Sequence, residues 1–488
     1  MDPCAVSFFT LGCKLNQLET EAIAEAFREQ GFSVRSWQEA GRGDLSIVNT
    51  CTVTSRAEQK ARRIIRLLLG RGSTVLVSGC YARLGGPELS ALGSGNLFLV
   101  PPKDALLDLP RFLADAGGSP EKFLSRWLEE QVLLRKAGKG SAGALPEGFR
   151  FNPRVFSFHS RAFLKIQDGC DRSCAYCRVP LARGKSISLE TPELLTRLRA
   201  LEARGLPEAV LTGVSICQYR SRFRGDKPVN LPALLRILLE HTGKIALRLS
   251  SIEPEPAVLT DEFFQILSHP RIRPHFHLSV QSGSSRILSA MGRPYGVNDI
   301  VRAAERLRQI KEDPFLACDM ITGFPGETEE DFEASAALCR DLGFAAIHGF
   351  PYSKRGGTRA AVMRGQVSQG TAGKRLAVLL ELSRQGRRDY VGRWLGKTVG
   401  AVAESKRTQG AEKDGAAPFP AKKTGFFHSV FPALTDNYIR LLVSSADPNT
   451  GTEDFSVRPG PGSTLNCRIQ THLPGKDFDA WGKVVRMV

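Results

Sequence analysis

The sequence predicts an α/β protein in three parts. These are an N-terminal open parallel α/β domain, a central barrel or partial barrel of β/α units, and a small C-terminal β-barrel. Three observations predict this. Residues 1–100 alternate strand-like apolar runs with helical periodicity, and residues 151–385 repeat that alternation about six times. Beyond about residue 390 the helical pattern gives way to short β-branched runs. At 488 residues the chain is also too long for a single hydrophobic core.

In the first hundred residues, Val6 to Leu11 reads as a buried strand. Leu18, Ala22, Ile23, Ala26 and Phe27 then recur at helical spacing until Gly31. Leu45 to Asn49 is a second strand, Ser55 to Leu69 a basic amphipathic helix closed by Gly70, and Thr74 to Ser78 a third strand. Such alternation implies a parallel sheet with right-handed crossovers. Cys13, Cys51 and Cys80 follow the three strands in turn. The carboxyl ends of parallel strands share one edge, where ligands bind. That placement favours convergence on a metal centre over three unrelated buried thiols.

Residues 101–150 form an irregular, partly helical linker. Pro101-Pro102 breaks the chain, and Glu121 to Lys136 reads as a helix with Phe123, Leu124, Trp127, Leu128 and Val132 on one side. Ala137 to Gly148 is rich in Gly, Ala and Ser. In the central region the candidate strands are Ala162–Gln167, Ala209–Gly213, Ile245–Leu249, Phe276–Val280, Leu316–Ile321 and Ala345–Phe350. Function in such a fold sits at the strands' C-terminal ends. There the first strand is followed by Cys170, Cys174 and Cys177 in a C-x3-C-x2-C spacing. Three thiolates are one short of closing a zinc or iron–sulfur site, so one metal corner stays open. Polar or glycine-rich loops follow the other strands, among them Thr212–Ser215, Ser250–Pro254, Gln281–Ser284 and Thr322–Thr328, and read as the rim of one site.

In the tail, from residue 386, Thr398–Val402, Tyr438–Val443 and Leu465–Gln470 read as strands, with Lys406–Gly425 a flexible loop. A small basic barrel is consistent with nucleic-acid binding. The whole chain carries 67 Lys and Arg against 50 Asp and Glu, a net +17 that favours a polyanionic partner, nucleic acid before others. The start of the chain lacks the pattern of a secretory signal, and no apolar run is long enough to span a membrane. Eleven cysteines without a signal point to a reducing, cytoplasmic setting and to metal or catalytic thiols rather than disulfides.

These residues carry a resemblance. Cys170, Cys174 and Cys177 match the cluster motif of radical S-adenosylmethionine (SAM) enzymes, and Cys13, Cys51 and Cys80 match the N-terminal cysteines of the methylthiotransferases within that superfamily. Leu11-Gly12-Cys13-Lys14-Leu15-Asn16-Gln17 resembles the MtaB-type tRNA methylthiotransferases, which act on N6-threonylcarbamoyladenosine at position 37. Relatives that act on isopentenyladenosine usually have Gly-Cys-Gln-Met-Asn at this place, and those that act on a ribosomal protein have Gly-Cys-Pro-Lys-Asn. Phe350-Pro351-Tyr352-Ser353-Lys354-Arg355 is also similar to the MtaB-type pattern.

The resemblance implies a partial (β/α)6 radical SAM barrel over 151–385 and a TRAM-like β-barrel over 386–488. It implies two [4Fe–4S] clusters, one on Cys13, Cys51 and Cys80 and one on Cys170, Cys174 and Cys177, the latter binding SAM at its open iron. It further implies a tRNA anticodon loop as partner, an electron donor, a sulfur donor, and a monomer without membrane attachment. Tyr176 would lie near the SAM adenine. Gly213, Ser251, Glu253 and Gln281 are candidate SAM contacts by their strand-end positions. Cys217 departs from the family pattern, where Gly is expected, and reads as a small buried thiol. Cys4, Cys318, Cys339 and Cys467 match no motif. The alternatives are a methylthiotransferase for isopentenyladenosine-37 or for a ribosomal-protein side chain, and, in another class, a non-catalytic metal-containing nucleic-acid-binding protein.

Overall fold

A computed structural model describes residues 5–93, 95–100, 103–115, 120–136, 145–146, 148–154, 156, 161–224, 227–404, 430–444, 462–473 and 478–487. The N-terminal sheet is parallel throughout. Its strands lie in the order Ser33–Ser36, Ala5–Thr10, Leu45–Thr50, Thr74–Gly79 and Leu97–Leu99. The three central strands are those expected; the two edge strands are additions. Both are short, and Ser33–Ser36 carries only Val34 as an apolar residue, so neither has a readable period. Helix Lys14–Glu29 buries Leu15, Leu18, Ala22, Ile23 and Phe27, and Phe27 meets Phe8 of the sheet edge-on. Helix Ser55–Gly70 starts at Thr54, whose side chain accepts the Ala57 N–H.

The central region is a strongly curved wall of parallel strands. Ala162–Lys165, Glu208–Thr212 and Ala246–Leu249 form one sheet. After Ser250 the chain shifts across, and Ser251–Ile252 pairs with the fourth strand, His275–Gln281, followed by Phe315–Thr322 and Ala346–Pro351. Among the described residues no pairing joins the first strand to the last, so this is a partial barrel with six principal strands, as expected. Alternation along the strands decides what each face packs against. Leu164, Leu211, Leu247, Leu278, Met320 and Ile347 face outward into one core beneath the helices. On the opposite side Phe163 and Val210 pack with Phe8 and Phe27 of the N-terminal domain, whereas Phe315, Ala317 and Ala345 pack with the C-terminal barrel. The concave face is thus flanked on both sides by the other parts of the chain.

Helix Gln369–Trp394 leads to the C-terminal unit, a closed barrel in the order Thr398–Ala403, Val430–Thr435, Arg440–Ser444, Ala480–Met487 and Thr464–His472. Two of these strands lack a clear sequence signal. Val430–Thr435 contains Pro432, and Ala480–Met487 mixes Gly482, Lys483 and Arg486 into its run. The expected Lys406–Gly425 loop lies outside the described residues, as does most of the 137–148 linker.

A buried charge network fixes this barrel to the central wall. Glu208 accepts two hydrogen bonds from Arg248, at 3.0 and 2.9 Å, and one from Arg273 at 3.2 Å. Arg273 in turn pairs with Asp436 at 2.7 Å, and Arg248 reaches the Asp436 carbonyl at 3.2 Å. Burial alone would raise the Glu208 carboxyl, but the guanidinium groups around it outweigh burial and hold it at about 2. Because that value lies below the ordinary 4.5, the stabilisation is fully present above pH 4.5 and is lost as the pH falls toward about 2. The expected contribution is about 3 kcal/mol at neutral pH. Denaturant unfolding between pH 6 and pH 3 checks this: Glu208→Gln should be less stable at pH 6, and the gap should narrow with acid.

Candidate active site

Each N-terminal cysteine stands just beyond a strand end. Cys13 follows Ala5–Thr10, Cys51 follows Leu45–Thr50, and Cys80 opens the short helix after Thr74–Gly79. Gly12 has φ +114°, and a Cβ there would lie 2.8 Å from the Cys51 Cβ and 3.2 Å from its sulfur. Only glycine lets the Cys13 loop close over Cys51. Burial pushes the Cys51 thiol up to about 12, and the charges of Cys13 and Cys80 add to that rise. All three cysteines line one end of a single cavity, although Cys13 and Cys80 are 67 positions apart in sequence.

Asn16 ties the loops to one another. Its amide donates to the Leu11 carbonyl at 2.7 Å and to the Thr50 carbonyl at 3.1 Å, which bracket Cys13 and Cys51. Its oxygen accepts from Arg183 of the central wall at 2.7 Å. Arg183 also reaches Asp168 at 2.9 Å and Glu19 at 3.2 Å. Lys165 and Lys103 complete this buried hub, with Lys165 2.5 Å from Asp168 and Lys103 2.5 Å from Glu19. A second tie runs from Arg355, whose guanidinium bonds Thr52 at 3.0 Å and pairs with Glu58. Ser353 accepts the Ser55 N–H at 3.1 Å. The Pro351–Arg355 stretch thus grips the chain immediately after Cys51.

Cys170, Cys174 and Cys177 occupy the loop beyond the first central strand. Gly169 has φ +68°, and a Cβ there would fall 1.9 Å from the Lys185 carbonyl oxygen, so the motif must open on glycine. Burial pushes the Cys177 thiol up to about 12, with Cys174 and Cys170 contributing. Amide donors point at sulfur in both sets. Val53 N–H donates to Cys51 at 3.4 Å, Arg172 N–H to Cys170 at 3.4 Å and Val179 N–H to Cys177 at 3.4 Å. The Gln218 amide adds a side-chain donor to Cys170 at 3.2 Å, and its oxygen accepts the Asp171 N–H at 2.9 Å. Thiols grouped at strand ends, with N–H groups aimed at the sulfurs of Cys51, Cys170 and Cys177, fit metal–thiolate ligation.

A cavity of about 1320 Å³ opens at the first cysteine set; Cys170, Cys174 and Cys177 are not among the residues that line it. Cys13, Cys51 and Cys80 line it at one end, with Val179, Arg183, Thr212, Gly213, Ser250 and Ser251 along the central wall. It continues past His275, His277, Asp319 and His348 to Arg387, Tyr438 and His472 near the C-terminal barrel. His277 Nε2 lies 2.9 Å from Asp319 Oδ1 but off the line of a hydrogen bond, and the three ligating atoms of His277, Asp319 and His348 fall within 4.8 Å of one another. Lys14, on the first turn of its helix, lines the same cavity and feels the charge of Asp319 and His348. Burial, with Arg161 and Arg248 nearby, lowers its ammonium from the ordinary range against the attraction of Tyr438 and Asp319.

Of the five expected SAM contacts, Gly213 and Ser251 line the cavity; Tyr176, Glu253 and Gln281 do not. Tyr176 is half-buried, accepts from Arg293 at 2.6 Å and meets Phe324 edge-on. Glu253 is buried and ion-paired with Arg172 and Arg293, each at 3.3 Å. Gln281 is buried at a register break with φ +70°, a strained conformation for a non-glycine residue. Cys217 is buried and accepts the Glu253 N–H at 3.4 Å, as its reading as a small thiol anticipates. Sequence reasoning did not find Asn16, Arg183 or Gln218 as partners. The Gly-Cys-Lys-Leu-Asn string did flag Asn16, but its contact with Arg183 spans 167 positions.

Comparison with known proteins agrees with this geometry. The Radical SAM superfamily model matches residues 164–339, and the model described as Uncharacterized protein family UPF0004 matches residues 5–99. The "Threonylcarbamoyladenosine tRNA methylthiotransferase MtaB" of Treponema pallidum (strain Nichols) is 41% identical over 96% of this chain and 99% of its own length. The chain belongs to the radical SAM methylthiotransferase family. Two further members show its breadth. The protein of Thermotoga maritima with the same description is 32% identical over 86% of this chain and 92% of its own. The "tRNA-2-methylthio-N(6)-dimethylallyladenosine synthase" of Sphingopyxis alaskensis is 30% identical over 90% of this chain and 95% of its own. For this radical SAM methylthiotransferase, membership implies a [4Fe–4S] cluster and SAM. Among the described residues no helix is long and apolar enough to cross a membrane.

Proposed function

We propose that the protein adds a methylthio group at C2 of N6-threonylcarbamoyladenosine-37 in tRNA, using two [4Fe–4S] clusters and SAM. The observation that carries this reading is that Cys13, Cys51 and Cys80 line one cavity together with the ends of the second and third central strands, Thr212–Val214 and Ser250–Ser251, next to the first strand, whose following loop carries Cys170, Cys174 and Cys177. Each set leaves one cluster corner open, which suits two distinct tasks. What a cluster and SAM supply at Cys170, Cys174 and Cys177 is reductive one-electron chemistry able to activate a C–H bond that carries no acidity.

The chain's own part is to hold and to shield. Gln218 and the Arg172 and Val179 amides fix the sulfurs, and Arg293 anchors Tyr176 and Glu253 beside the motif. Asn16 and Arg183 keep the two cysteine sets in a fixed relation. Substrate RNA must splay a base out of the anticodon loop to reach a cavity this deep. Lys60, Arg63 and Arg66 are exposed on helix Ser55–Gly70, which starts beside the Cys51 loop, and would meet the backbone; Arg62 is instead occupied by Tyr81 and Glu88. An external reductant and a sulfur source complete the requirements, in a reducing, cytoplasmic setting and with the protein acting as a monomer.

The reading is tested by mass spectrometry of tRNA nucleosides from a strain that lacks the gene and has no compensating enzyme. The 2-methylthio derivative of threonylcarbamoyladenosine should vanish and its unthiolated precursor should accumulate. Loss of the isopentenyl counterpart instead would reassign the substrate.

A further inference from the structure

The cations along the cavity differ in one respect. Arg183, Arg384, Arg387, Arg388 and Arg440 each have a carboxylate within 4.0 Å, from Asp168, Glu381, Asp479, Glu381 and Asp479 respectively. Lys14 has no hydrogen bond and no ion pair among the described residues, although it lines the same cavity. It is also the residue directly after Cys13, so whatever it binds lies beside the first cysteine set. Tyr438 and Asp319 act on the Lys14 ammonium only from beyond contact distance, and Arg161 and Arg248 oppose them, so an anion entering the cavity would be its first direct partner. The adenosine substituent in the proposed substrate bears one anionic group, the carboxylate of its amino acid; an isopentenyl substituent bears none.

We propose that the Lys14 ammonium is the counter-ion for the carboxylate on the amino-acid substituent of the target adenosine. The assignment rests on the substrate reading above and names the contact that gives it selectivity. A charge pair in such an enclosed setting discriminates strongly against a neutral isostere, because the neutral form leaves the lysine unpaired. Lys14 is thus a substrate-positioning residue, seating the adenine beside the first cysteine set.

The test uses two anticodon stem-loop RNAs, one bearing threonylcarbamoyladenosine and one bearing its carboxamide, which differ only in that charge. Fluorescence anisotropy under anaerobic conditions with the reconstituted enzyme reads their affinities without turnover. The wild-type protein should prefer the carboxylate form by about tenfold or more. Lys14→Met should abolish the preference with iron content and cluster absorbance unchanged, and Lys14→Arg should keep most of it. A wild-type protein that methylthiolates the carboxylate RNA yet binds both RNAs equally would overturn the role of Lys14 and leave the substrate reading standing. Failure to methylthiolate the carboxylate RNA at all would instead overturn the substrate reading. Retention of the preference in Lys14→Met also sinks the inference. Should that variant lose its clusters, the comparison of the two RNAs on the wild-type protein and on Lys14→Arg decides.

Discussion

Replacing Cys51 with Ala is expected to abolish methylthio transfer while leaving SAM cleavage in place. Cys51 lies at the centre of the N-terminal set: the Cys13 loop closes over it through Gly12, and the Val53 N–H points at its sulfur. No other described sulfur can take its place, since of the remaining described cysteines outside the two sets Cys217, Cys318 and Cys339 are buried in the central core and Cys467 in that of the C-terminal barrel. The second set, Cys170, Cys174 and Cys177, belongs to a different loop and keeps its own donors. Anaerobic reconstitution should accordingly give about four iron atoms per chain in the variant against about eight in the wild type. Production of 5′-deoxyadenosine on reduction should persist. Methylthiolation surviving in Cys51→Ala would remove the role assigned to the N-terminal set, whereas loss of SAM cleavage as well would merge the two sets into one functional unit.

The second large effect is expected at Arg183, which is 4% exposed and holds Asn16, Glu19 and Asp168 at once. Replacing it with Met leaves two buried carboxylates sharing only Lys165 and Lys103 and strips Asn16 of its partner in the central wall. Breaking one side of a buried ion network costs about 3–5 kcal/mol. Arg183→Lys should recover only part of this, because an ammonium cannot span an amide and two carboxylates as a planar guanidinium does. Denaturant unfolding measures the loss. Methylthiolation should fall further than SAM cleavage, since the hub joins the two cysteine loops and forms neither alone. Equal stability of Arg183→Met and wild type would mean that the network contributes nothing to holding the N-terminal domain on the barrel.

The two cases mark what a sequence can and cannot disclose here. Cys13, Cys51 and Cys80 were legible because strand periodicity placed each at the same edge of a parallel sheet, and the six central strands were legible because each lies in an apolar run followed by a helix. Ser33–Ser36 and Leu97–Leu99 were not, being too short to show a period at a sheet edge. Pro432 disguised one strand of the C-terminal barrel. Gln218 and Arg183 are ordinary polar residues in sequence, and Lys14 stood out only as part of the Leu11–Gln17 string. Their importance comes from contacts that only the tertiary structure creates: an unpaired cation in a cavity, an amide on a sulfur 48 positions away, and a guanidinium shared between domains. Tyr176 and Glu253, expected near SAM, are engaged by Arg293 and Arg172 away from the cavity wall, and Gln281 is buried at a register break; these are tertiary contacts that no local pattern displays.

The central claim is that two open-cornered clusters cooperate on one nucleoside. It is tested most directly by incubating the reconstituted protein with SAM, a low-potential reductant, sulfide and an anticodon stem-loop bearing threonylcarbamoyladenosine, followed by mass spectrometry of the nucleosides. The account predicts the 2-methylthio product with the wild-type protein and unmodified substrate with Cys51→Ala. Product formed equally by both proteins, or 5′-deoxyadenosine released by the wild type with no methylthio product, would contradict it.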